Sequence, residues 1–361
     1  MFEPVPLPSD LDAQLRAHFE RTIAHFDNLG SKAPQAIVLG GGYGRGEGGI
    51  ATAPDGSPCF FNDLDYFIFT DLPEDPEIIY ALREWEREES KIMGIDVEGK
   101  CLPRSDLSQT PGSMMFYDLV AAQTIVSGPK NFFDDYKVMA KPDTIELIEA
   151  TRLLWNRGSG LLFARADLEA NVDLSVVHRN QAKAKLALGD ALLTIRGKYR
   201  AYVRERQLAL REQTDIDPRI AELHEIGVSF KLRPTATPPI EELRATQAEL
   251  TNLWRRCFLE VESARLKANF NRPQAYATYS GKLFTDSPAL RNLLLSLRDR
   301  LKRGGCLHPN TDYPRGALQR ALVLLLEAEP DYEAVSGIFG QTVENLADSV
   351  SSYTKWWQYY S

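Results

Sequence analysis

Two short acidic runs and one glycine cluster have residue types and spacings that can do chemistry. Asp63-Leu64-Asp65 lies inside the apolar stretch from Phe60 to Thr70. Residues two apart on a strand project to one face, so the two carboxylates point the same way. Like charges held that close raise each other's pKa and cost stability unless a cation sits between them. Mg²⁺, a hard cation that favours carboxylate and phosphate oxygens, suits that position. Ile95-Asp96-Val97-Glu98 adds Asp96 between two apolar neighbours, with Glu98 on the same face as a competitor for a third-acid role. Acids from two neighbouring strands can hold two Mg²⁺ ions roughly 4 Å apart, the arrangement that supports in-line phosphoryl or nucleotidyl transfer. Upstream, Ile37-Val38-Leu39 runs directly into Gly40-Gly41-Gly42-Tyr43-Gly44-Arg45-Gly46-Glu47. Glycines there permit positive φ and let backbone amides approach an anion. The run is no P-loop, because no GK[ST] follows. Gly42, Gly44 and Gly46 also fail to open a βαβ unit with a ribose-binding acid, as a dinucleotide fingerprint requires.

The elements that must position these residues follow from periodicity and turn signals. Ser9-Asp10 precede an apolar repeat through Leu15, Phe19, Ile23 and Phe26, with Gly30 after it, which predicts a capped first helix. Ala36 to Leu39 reads as a short buried strand, Phe60 to Thr70 as an aromatic-rich one, and Gly94 to Glu98 as the start of a third. A charged helical pattern over 74–91 separates the last two. The first 112 residues therefore predict a compact α/β unit. Beyond it, helical patterns dominate over about 114–127, 142–168, 176–212, 238–268, 286–303, 314–328 and 331–349. The three prolines of 231–240 mark a linker that splits the helical region 113–361.

The ordered set of strand, glycine loop, DxD strand, helix and acid-bearing strand resembles the nucleotidyltransferase superfamily that includes DNA polymerase β and the aminoglycoside nucleotidyltransferases. Gly41 and Gly42 match its glycine pair, Arg45 a basic position after it, and Asp63, Asp65 and Asp96 its three acids. The resemblance covers the N-terminal third only. It implies an α/β (α+β) domain with a small mixed sheet, dependence on Mg²⁺ (two ions) and transfer of a nucleoside monophosphate from a nucleoside triphosphate, with ATP favoured. Asp63, Asp65 and Asp96 would be the catalytic and metal-binding acids, and Asp96 would also accept the attacking hydroxyl's proton. Asp96 is preferred over Glu98 because Ile95 and Val97 flank it. Gly41, Gly42 and Arg45 would contact the nucleotide. Two departures stand out: Gly42 replaces the Ser common after the first glycine, and twenty residues separate Gly42 from Asp63. The excess maps to Ile50–Phe60, whose Asp55-Gly56 turn predicts a hairpin insertion. Glu47 and Asp71 read as loop charges.

In the helical region, Lys183, Ala187, Asp190 and Thr194 share one face of a predicted helix. Lys183 is assigned to phosphate, and Asp190, with Glu98, to the acceptor side. Residues 54–98 carry a net charge of −10 and residues 151–212 a net charge of +6, which suits a metal–triphosphate complex between two unlike lobes. The aromatic C-terminus, Tyr353 to Tyr360, is expected to dock on the helical body or a partner chain.

Composition closes several alternatives. The chain has 361 residues and a formal charge of −8, which argues against a polynucleotide partner. Cys59, Cys101, Cys257 and Cys306 form no CxxC pair, and no histidine pair, His18 and His25 included, has convincing ligand spacing. No run approaches a membrane span and no leader pattern opens the chain, so a soluble cytoplasmic protein is expected. The acceptor is a hydroxyl on a small molecule or on a protein side chain. The alternative is a non-catalytic nucleotide-binding, sensing or scaffold protein that keeps the nucleotidyltransferase fold.

Overall fold

The computed structural model of the chain describes residues 6–110, 112–284, 287–303 and 312–360. Two compact units emerge, residues 1–149 with 196–236, and residues 150–195 with 237–361. The first unit therefore extends beyond the expected limit at 112 and takes back a later segment. Its end near 236 falls inside the proline-rich stretch 231–240.

In the first unit, helix α1 (Ser9–Asp27) precedes strand β1 (Ala36–Leu39), a single helical turn α2 (Gly41–Gly44), and strands β2 (Gly49–Thr52), β3 (Pro58–Phe61) and β4 (Asp63–Phe69). Helix α3 (Pro76–Met93), strand β5 (Asp96–Leu102), helices α4 (Asp106–Gln109) and α5 (Met114–Ala121), and strand β6 (Thr124–Ser127) follow. The order β5-β4-β1-β6 forms one sheet, with β4 and β5 parallel and the other pairs antiparallel, so the small sheet is mixed. β2 and β3 form a separate hairpin around the Asp55-Gly56 turn, as the insertion predicts. Two details depart from the sequence pattern. Asn62 adopts φ 79° and cuts the aromatic stretch into β3 and β4. Residues 124–127, expected to continue a helix, pair with β1 as an edge strand.

The sheet's inner face is set by strict alternation. Leu64, Tyr66 and Ile68 are fully buried with Val97 of β5, while Asp63 and Asp65 take the other face. α3 covers the inner face through Ile78, Leu82, Trp85 and Met93, a 3.6-residue stripe. Its ends are well specified: Asp75 caps by accepting from the Glu77 N–H, Pro76 opens the helix, and Gly94 closes it at φ 71°. Buried polar groups enter this core as hydrogen-bonded sets, among them His18 and Glu89. Glu89, 5% exposed, accepts hydrogen bonds from Arg21 at 2.7 and 2.8 Å and pairs with His18 Nδ1 at 2.7 Å.

Helix α6 (Leu147–Ala170) carries the chain into the second unit, which also contains α7 (Leu174–Ile195). The chain then returns to the first unit as α8 (Val203–Arg211) and α9 (Pro218–Leu232). The single helix expected over 176–212 is thus two helices, broken at Gly197, whose φ is 63°. The basic segment 151–212 belongs partly to each unit, so it is not one positive lobe. The second unit continues with α10 (Ile240–Leu266), α11 (Pro273–Ala277), α12 (Ala289–Arg303), α13 (Pro314–Leu325), α14 (Tyr332–Phe339) and α15 (Leu346–Tyr360). Trp254 of α10 stacks on Phe258 and donates to the Leu154 carbonyl at 2.7 Å. The aromatic C-terminus docks within this unit: Tyr353 is fully buried and receives the Trp155 N–H at 2.8 Å. Among the described residues no helix is long and apolar enough to cross a membrane. Cys306 and His308 lie outside the described residues.

Candidate active site

The parallel register of β4 and β5 decides which acids meet. Asp63 pairs with Asp96 and Asp65 with Glu98. Neighbouring strands lie about 4.8 Å apart, so four acidic positions form two rungs of one ladder on the face opposite α3. Asp65 is half-buried, whereas Asp96 and Glu98 are exposed. Burial, and then the charges of Asp63 and Glu98, push the Asp65 carboxyl up to about 6, against weaker opposing pulls from Arg45 and Lys231. The side-chain amide of Asn62 donates to the Asp63 carboxylate. Asp65 accepts no side-chain hydrogen bond from the described residues. The register sets both acids of β5 on the ladder, Asp96 beside Asp63 and Glu98 beside Asp65, and Glu98 is the one whose charge acts on Asp65.

The glycine loop closes over the same rung. Gly40 N–H donates to the Asp65 carbonyl at 2.8 Å, an extension of the β1–β4 ladder. Gly41 adopts φ +57°, and a β-carbon there would lie 2.1 Å from Asp65 Oδ2. Only glycine satisfies both conditions. A β-carbon on Gly42 would lie 3.2 Å from the Glu47 carbonyl and 3.2 Å from Lys231 Nζ. Tyr43 fixes the hairpin to the loop, with its hydroxyl 2.6 Å from the Gly49 carbonyl and accepting the Phe61 N–H at 2.9 Å. Burial raises the Tyr43 hydroxyl to about 12, so it stays protonated.

Arg45 and Glu47 have different surroundings from those expected. The Arg45 guanidinium is 9% exposed, 3.3 Å from Asp118 and 3.7 Å from Glu47. Glu47 is buried, not a loop charge, and its carboxylate accepts the Val203 N–H at 2.9 and 3.1 Å. Asp118 also accepts from the Tyr199 hydroxyl at 3.2 Å, and that hydroxyl is met by Arg206, whose guanidinium lies 4.9 Å over the ring. These groups stitch the returning segment 196–236 to the glycine loop. The Arg45 charge is thereby engaged by two carboxylates.

Lys231 is the residue that sequence reasoning passed over, because it stands at the head of the proline-rich stretch. It lies in the last turn of α9 and reaches the loop beside Gly42. Lys183 and Asp190, by contrast, belong to α7 of the second unit. Asp190 is buried there, and Thr194 donates to its backbone carbonyl at 2.8 Å.

Among the described residues no three histidine, cysteine, aspartate or glutamate side chains converge as a ready-made metal site. The donor set still fits Mg²⁺ in kind. That ion is commonly held by one or two carboxylates, with phosphate oxygens and water completing an octahedron. A lone half-buried carboxylate with raised pKa, flanked by further acids and lacking a protein donor, is the partial set such a mode needs. No protein-family profile matches the chain, and no curated protein sequence matches it either.

Proposed function

We propose that the first unit is a Mg²⁺-dependent nucleotidyltransferase site that moves a nucleoside monophosphate from a nucleoside triphosphate, ATP by preference, to a hydroxyl acceptor. The observation that carries this is the Asp63/Asp96 and Asp65/Glu98 ladder set against Gly41, with Asp65 held at raised pKa and without a protein partner. A folded chain gains nothing from idle clustered carboxylates, which repel one another. Bound Mg²⁺ would polarise the α-phosphoryl group and neutralise developing charge. Asp63 and Asp65, with Asp96 or Glu98 from the next strand, would hold it. The acceptor oxygen forms a bond to the α-phosphorus, the bond from that phosphorus to the bridging oxygen breaks, and pyrophosphate leaves with that electron pair. The acceptor proton passes to a carboxylate of β5, where Asp96 and Glu98 are both exposed to an incoming hydroxyl. The acceptor is a small molecule or a protein side chain, because the overall charge of −8 disfavours polynucleotides.

Isothermal titration with ATP and Mg²⁺ tests the proposal: wild type binds, and Asp63→Asn/Asp65→Asn loses the metal-dependent component. Absence of nucleotide binding by wild type at millimolar concentration overturns it. The lack of a complete three-acid site among the described residues favours one second reading, a nucleotide-sensing or scaffold protein that keeps the fold. Pyrophosphate release across candidate acceptors separates the two, since a sensor binds without releasing it.

A further inference from the structure

We propose that Lys231 supplies, from the returning helix, the oligophosphate contact that Gly42 cannot make, and that Lys231 with the Gly42 turn forms a metal-independent anion site. The inference rests on the nucleotidyl-transfer proposal for the identity of its occupant, but not for its chemistry. Lys231 Nζ lies 3.2 Å from where a β-carbon on Gly42 would stand. The ammonium thus stands within contact distance of the space that any side chain at position 42 would begin to fill.

Three observations make the ammonium an anion receptor rather than part of a packed ion pair. First, among the described residues Lys231 makes no hydrogen bond and no salt bridge. Second, its surroundings hold other cations as well as acids. Arg45 and Arg206 face it, and the opposing carboxylates are Glu47 and Asp118. Those carboxylates are engaged elsewhere: Glu47 accepts the Val203 N–H and lies near Arg45, and Asp118 pairs with Arg45 and accepts from Tyr199. Third, burial and then the two arginines lower the Lys231 pKa to about 8 against the weaker opposing pulls of Glu47 and Asp118, so the site favours an additional negative charge. A half-buried cation that shares its surroundings with two arginines is costly, and an anion that brings several oxygens offsets the cost. Gly42 leaves the space in front of Nζ clear for it.

The experiment is titration of inorganic tripolyphosphate without metal, and of Mg²⁺–ATP, into the full chain. Wild type should bind both, and Lys231→Met should weaken both at least tenfold. Lys231→Arg, which keeps the charge, should retain binding within about threefold. Gly42→Ser placed in the Lys231→Met chain should recover at least threefold for Mg²⁺–ATP. Thermal unfolding guards against a folding artefact: Lys231→Met removes a poorly solvated charge, so its midpoint should not fall. Lys231→Met binding both ligands as tightly as wild type overturns the inference. If that happens while Asp63→Asn/Asp65→Asn abolishes metal-dependent binding, the anion site fails and the nucleotidyl-transfer proposal stands. If tripolyphosphate binds through Lys231 but no acceptor releases pyrophosphate, the anion site stands and nucleotidyl transfer fails. ATP binding more tightly than tripolyphosphate marks a nucleoside triphosphate as the occupant, and the reverse order marks inorganic polyphosphate.

Discussion

Replacing Asp65 with Asn should stabilise the metal-free protein at neutral pH. The carboxyl titrates at about 6 in the folded chain against an ordinary 3.8, chiefly because of burial and then because of Asp63 and Glu98. A group with a raised folded pKa binds its proton more tightly when folded. Its ionisation therefore costs stability that grows as pH rises from about 4 to about 6 and stays constant above. At about 1.4 kcal/mol per tenfold change in affinity, the ceiling is about 3 kcal/mol, and water reaching a half-buried carboxylate reduces it to about 1–3 kcal/mol. Asn keeps the side chain's shape beside Gly41 and removes the charge. Urea unfolding at pH 7.5 and at pH 4 is the assay, followed in the first unit by hydrogen exchange at the amides of β4, where Leu64, Tyr66 and Ile68 are buried. The variant should gain about 1–3 kcal/mol at pH 7.5 and little at pH 4. Millimolar Mg²⁺ should then stabilise wild type and leave the variant unchanged. A variant less stable than wild type at pH 7.5, or a difference that does not change with pH, would refute the electrostatic account of the ladder.

Three further outcomes follow. Gly41→Ala should destabilise the first unit by about 1–3 kcal/mol and abolish Mg²⁺–ATP binding, because φ +57° and a β-carbon 2.1 Å from Asp65 Oδ2 are both incompatible with alanine; unfolding and titration read the two effects. Glu89→Gln should cost about 2–4 kcal/mol by leaving Arg21 and His18 without their carboxylate. Burial lowers the His18 pKa, so the unfolded chain takes up the proton first and stability falls as pH drops below about 6.5; midpoints measured in the Asp65→Asn chain isolate this trend from the opposing one. In the second unit, fully buried Glu262 accepts from Thr151, Arg265 and Tyr276. Glu262→Ala should therefore lower that unit's stability by about 3–5 kcal/mol, with calorimetry as the check.

Local pattern made much of the first unit legible. Period-two alternation identifies the buried and acidic faces of the Asp63–Phe69 strand, and the charged helical pattern over 74–91 lies within two residues of the helix Pro76–Met93 at each end. The Asp55-Gly56 turn gives the inserted hairpin. Such signals act over a few residues, so sequence alone carries them. The same signals are silent on long-range partners. Thr124–Ser127 has too few residues to declare itself a strand, and pairing with β1 decides it. Glu47 looks like a loop charge until Val203, 156 residues away, donates its N–H.

The residue types and their alternation thus determined on their own that Asp63 and Asp65 share a face, that Gly40 to Gly42 end a buried strand, and that a hairpin separates the two. Tertiary structure alone decided the rest. The parallel register, not the flanking apolar residues, sets Glu98 beside Asp65. The return of residues 196–236 to the first unit brings Lys231 to Gly42 and engages Arg45 with Asp118, while Lys183 and Asp190 remain in the second unit. The physical reason is that a side chain's charge is written in the sequence, but its desolvation and its neighbours are set by contacts between segments far apart in the chain.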